Sequence, residues 1–130
     1  VMILVEMVHD ARIIRIGDET LPGEFRQWMG DARRHWEGDT LVVETINLNP
    51  MQKFRNSTEK FKVTERFTRV ADEVINYAFT VEDPDTFVQS WSAEMPMKLT
   101  DEKLYEYACH EGNYSLPGVL AGARLDERGQ

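Results

Sequence analysis

The stretch VINYAFTV, residues 74–81, decides the fold class. Ile75, Tyr77, Phe79 and Val81 alternate with Val74, Asn76, Ala78 and Thr80, so a strand turns the first set to one side and the second to the other. One face is then buried and the other partly wet. The following EDPDT ends the strand, because Pro84 has no N–H for a continuing ladder and Asp83 and Asp85 suit local side-chain turns. Residues 87–97 resume the alternation, with Phe87, Trp91 and Met95 on one face.

Working outward, RHWEGDTLVVETI reads as a hairpin with a Gly-Asp turn between Trp36 and the apolar run 41–43. KVTERFTRVADEVINYAF is a second hairpin, turning near Ala71 and Asp72, and MKLTDEKLYEY a third, turning at residues 100–102. With VMILVEMV and ARIIRI at the front, the expectation is an all-β, antiparallel meander of about eight strands, closing into a lipocalin-like β-barrel or a strongly curved sheet. Helix is scarce: LPGEFRQWM offers one short turn, and SLPGVLAGARL a short C-terminal segment weakened by Gly118 and Gly122. No repeat or Gly/Ser linker divides the chain, so residues 1–130 are read as a single domain.

Hydrophobic residues make up 42% and charged residues 29% of the 130, an ordinary balance for a folded globule. A net charge of -8 repels polyanions, so nucleic acid is not an expected partner. The longest apolar run, VMILV, is far short of the roughly 20 residues that cross a bilayer, and no membrane span or signal peptide is read in this chain. The start at Val1, on a strand-like run without an initiator methionine, suits a mature form or an excised piece of a longer protein, and the compartment stays open. The single Cys109 forms no internal disulfide.

EMVHDARII, RQWMGDARRHWEGDTLVVET, VTERFTRV, FTVEDPDTF and LYEYACHEGNY, in that order over nearly the whole chain, together resemble a family of bacterial proteins of unknown function. Its members are often secreted and common in soil organisms, which implies a periplasmic or secreted location. Arg34, Leu48 and Asn56 depart from the family pattern, which tends to have Gly, Phe and Gly there. The resemblance implies no established activity.

The chemistry must come from the residues themselves. His9, His35 and His110 lie on separate segments with no HExxH, CxxC or HxH, so no metal site is expected; one assembled by the fold would use His9, His110 and Glu111. Cys109 and His110 are neighbours in a strand-like run and face opposite ways, which argues against a thiolate–imidazole dyad. Glu106 and His110 share a face, at roughly 3.3 Å per residue about 13 Å apart, so a pocket needs partners from other strands. Glu65 stands between Val63 and Phe67 on one face, and a buried carboxylate must be paired or protonated; Arg12, Arg55 or Arg66 are the candidate partners. His9 continues the apolar face of Ile3, Val5 and Met7. Trp28, Trp36, Trp91, Phe25 and the tyrosines are either core or a stacking surface for a planar ligand.

Three functions fit. The first is a small-molecule-binding barrel with His9, Arg12, Glu65, Trp91 and Glu106 as ligand-binding residues. The second is an isomerase or hydrolase acting on a small substrate, with His110 as acid or base oriented by Glu111 or Glu106. The third is an interaction subunit that forms a homodimer. No cofactor motif is present.

Overall fold

The structure, a computed structural model, describes residues 1–17, 21–105, 111 and 113–129, without the side chain of His9. Seven strands form one sheet in sequential order: β1 (Met2–Leu4), β2 (Ala11–Ile16), β3 (Asp31–Glu37), β4 (Thr40–Ile46), β5 (Lys62–Ala71), β6 (Val74–Glu82) and β7 (Trp91–Lys98). A helix, α1 (Ser115–Arg128), follows. The sheet curls into a half-barrel, and among the described residues β1 and β7 are its two edges. Over the described residues the sheet is strongly curved and does not close into a barrel.

The meander is antiparallel except at one place, where β2 and β3 run parallel, with Ile14 beside Ala32 and Ile16 beside Arg34. A parallel pair needs a crossover rather than a tight turn. The residues between β2 and β3, of which 17 and 21–30 are described, make that crossover. Their LPGEFRQWM portion forms turns, not helix, and Gln27 bridges Leu48 while its carbonyl accepts from Asn49 N and Gly30 N. Gly30 has φ 75°, and a Cβ there would stand 2.7 Å from Thr45 Cγ2, so glycine alone fits this return into β3.

The first two hairpins form as their turn residues dictate. Glu37 pairs with Thr40 around Gly38–Asp39, with Gly38 at φ 57°, and Ala71 pairs with Val74 around Asp72–Glu73, next to a bulge. The expected third hairpin does not form over the described residues: β7 ends at Lys98, residues 99–105 carry no strand, and the remainder of LYEYACH lies outside them. Two features explain the stop. Pro96 has no N–H to offer a further strand, which suits an edge, and Leu99 N turns back to donate to Glu73 O at 2.8 Å. β7 also begins later than the alternation suggests, because residues 83–90 form a loop pinned by Asp83.

At the front, β1 stops at Leu4. A hydrogen bond from Val5 N to Asp10 O closes a tight reversal through the 3-10 turn Met7–His9, with Val8 at φ 63°. The strand therefore does not run on through Val5 and Met7 as the alternation suggests.

Register assigns the two faces. Ile3, Arg12, Ile14, Ala32, Val43, Glu65, Phe67, Tyr77, Phe79, Val81 and Trp91 share one side, and Ile14, Ala32 and Val43 form its buried centre. The other side carries ladders of polar pairs: Lys62 Nζ to Glu44 Oε1 at 2.7 Å, Arg66 to Glu37 at 2.5 Å, Thr40 to Thr68 at 2.8 Å and Thr80 to Ser92 at 2.7 Å. No described helix is long and apolar enough to cross a membrane.

Candidate functional site

On the apolar side, Arg12 of β2 reaches Glu65 of β5. Flat strands spaced by about 4.8 Å would put these backbones about 14 Å apart. Their side chains nevertheless meet: Arg12 Nη1 donates to Glu65 Oε1 at 2.8 Å, and Nη2 donates to Oε2 and to Thr45 Oγ1 at 2.5 Å. This side is thus concave. The pair is nearly closed off, with side-chain exposures of 12% for Arg12 and 7% for Glu65.

Tyr77 completes the group. Its hydroxyl donates to Glu65 Oε1 at 2.9 Å. Burial, the Glu65 charge and that hydrogen bond all push the phenol's pKa well above its usual value, so Tyr77 stays protonated through the neutral range.

Beyond Tyr77 the concave face opens into an apolar recess of about 190 Å³ walled by Phe54, Phe61, Val63, Tyr77, Phe79 and Val81. A smaller one of about 150 Å³ adjoins it across Phe61 and Val63, and reaches Arg12, Thr45 and Trp28. Trp91 backs the larger recess, stacking on Phe54 with centroids 6.1 Å apart and meeting Phe79 edge-on at 5.6 Å.

Phe54 and Phe61 come from the loop between β4 and β5, which local bonds hold over the sheet. Arg55 and Asn56 both take left-handed backbone conformations, φ 49° and 64°, to make a tight turn. Phe54 N donates to the Oγ of buried Ser57 at 3.0 Å. Thr58 then ties the loop to the end of β6 through its N–H and its hydroxyl, both donated to Asp83. Burial raises the Asp83 pKa, but the bonds from Thr58, Thr86 and the Asp85 N–H outweigh it and hold the carboxyl below its ordinary value.

Three residues singled out from sequence meet on this face: Arg12, Glu65 and, through Phe54 and Phe79, Trp91. Of the three arginines offered to Glu65, Arg12 is the partner. Arg66 follows Glu65 directly in β5 and points to the opposite face, while Arg55 lies over the Phe54 ring at 5.8 Å. Glu111 is exposed and belongs to no strand. Glu106, Cys109, His110 and the His9 side chain lie outside the described residues, and with them any catalytic pairing of His110. Among the described residues, no group of three His, Cys, Asp or Glu gathers to hold a metal. Phe25, Trp28 and Trp36 are half or more exposed rather than core.

Comparison with protein-family models, characterised proteins and solved structures finds no match.

Sequence reasoning missed Thr45, Phe54 and Phe61 as parts of the site, and named Tyr77 only among the tyrosines of a stacking surface, not as a partner of Glu65. Tyr77 carried a usable signal. It pairs with Phe67 as Glu65 pairs with Phe79, which sets the phenol diagonally across from the carboxylate. Phe54 and Phe61 sit in a loop whose path has no periodicity to read.

Proposed function

We propose that the protein is a small-molecule-binding module, in which the half-barrel holds a compact, planar, mainly apolar ligand against its concave face. The recess of about 190 Å³ between Phe54, Phe61 and Phe79 carries this reading. Its volume is that of a single-ring guest, since dry apolar cavities of about 150 Å³ accept benzene. Aromatic walls favour a flat guest through offset and edge-to-face contacts. The Arg12–Glu65 pair beside it balances its own charge, with only the buried Arg12 Nε left without a hydrogen bond, so it shapes the floor without needing a ligand charge.

Titration with toluene tests the proposal, followed through the methyl resonances of Val63 and Val81. Saturable shifts concentrated on those two residues and on the Phe61 ring are expected. Shifts absent at toluene's solubility limit, or spread evenly over the surface, would end the reading.

A further inference from the structure

The hydrogen bonds on the concave face leave an uneven supply of donors and acceptors at the recess. Among the six described residues that line it, Tyr77 is the only one with a hydrogen-bonding side chain. The phenol proton is committed to Glu65 Oε1. Glu65 Oε1 receives a second hydrogen bond from Arg12 Nη1, and Oε2 one from Arg12 Nη2. Arg12 Nη2 is engaged with Glu65 and Thr45 together, and Arg12, whose buried Nε has no hydrogen-bond partner, lines the adjoining smaller recess and not this one. A hydroxyl that has given away its proton keeps its oxygen lone pairs, so what Tyr77 has left to offer is an acceptor.

We infer that the recess selects an aromatic molecule bearing one hydrogen-bond donor, of the phenol or aniline class, with Tyr77 Oη accepting from it. The inference rests on the recess being the ligand site and adds the polarity of the ligand. A guest whose only polar atom accepts would face Tyr77 Oη lone pair to lone pair, and would lose its hydration without replacement. A donor-bearing ring instead extends the chain of bonds from guest to Tyr77 to Glu65 to Arg12. Each member then polarises the next. The firm protonation of Tyr77 keeps this direction unchanged across the neutral range.

Calorimetric titration of the wild-type chain and Tyr77→Phe with toluene, phenol and benzonitrile tests it. The three guests are similar in size, and their ring substituent is apolar, donating or accepting only. The wild type should bind phenol about fivefold more tightly than benzonitrile, the ratio one net hydrogen bond supports. Tyr77→Phe should weaken phenol about fivefold and change toluene less than about twofold. If toluene binds while phenol gains nothing over benzonitrile, the donor rule is overturned and the recess remains a ligand site. If none of the three binds, the site itself is refuted and the donor rule with it. Should Tyr77→Phe show no cooperative thermal transition, the wild-type phenol-to-benzonitrile ratio decides alone.

Discussion

Glu65 and Arg66 are consecutive residues of one strand, and each belongs to an arginine–carboxylate pair on its own face of the sheet. Arg12–Glu65 lies in the concavity, almost removed from solvent, joined to Thr45 and Tyr77. Arg66–Glu37 lies outside, nearly half exposed on both partners, with His35 as a further neighbour. There the Arg66 hydrogen bond, followed by that of His35, holds the Glu37 carboxyl below its ordinary pKa. The chemistry of the two pairs is alike and their surroundings are not. In water a lost partner is replaced by solvent, whereas in the concavity it leaves a charge with nothing to replace it.

The contrast is most directly broken at Arg12. Arg12→Ala strands the Glu65 carboxylate with only the Tyr77 hydroxyl, and should cost about 3 kcal/mol in urea-induced unfolding. A loss under about 1 kcal/mol would mean that water reaches Glu65 and that the concave pair behaves like a surface one.

Tyr77→Phe removes one hydrogen bond from the same group and should cost about 1 kcal/mol at neutral pH. Its pH dependence sharpens the point. The folded pKa of Tyr77 is raised above the unfolded value of 10.0, so its contribution is fully present below pH 10 and is lost as the pH climbs toward the folded pKa. Thermal melts of the wild type should therefore fall between pH 10 and higher values, with Tyr77→Phe falling less. Parallel curves would show that the phenol ionises freely and is not engaged with Glu65.

The smallest effect belongs to the outer face. Arg66→Ala should leave the urea midpoint unchanged at moderate salt, since solvent takes over the charge of Glu37. A midpoint shift matching that of Arg12→Ala would erase the distinction between the faces.

Much of this was legible without coordinates wherever the signal was local. The alternation in residues 74–81 became β6, and the Gly-Asp and Ala-Asp turns became the β3–β4 and β5–β6 hairpins, because a period of two and a turn dipeptide act over a few residues. The need of Glu65 for a partner was equally visible. The failures came where a distant contact overrode a local preference. The VMILVEMV run reads as one strand but breaks at Leu4 to reverse into β2. LPGEFRQWM reads as a helical turn but is drawn out to bridge Leu48. The hairpin expected after Lys98 does not form over residues 99–105, and the rest of LYEYACH lies outside the described residues.

By itself, then, the order of residues determined that this chain is β-rich, which side chains share a face of each strand, and that a carboxylate between Val63 and Phe67 needs a cation. Only the tertiary structure decided that β2 lies parallel to β3, that the seven described strands curl into a half-barrel, and that Arg12 rather than Arg55 or Arg66 answers Glu65. Side-chain direction is set within a strand by its own pleat. The meeting of residues 12, 65 and 77 depends instead on the curl accumulated across several strands, a sum that no short stretch of sequence contains.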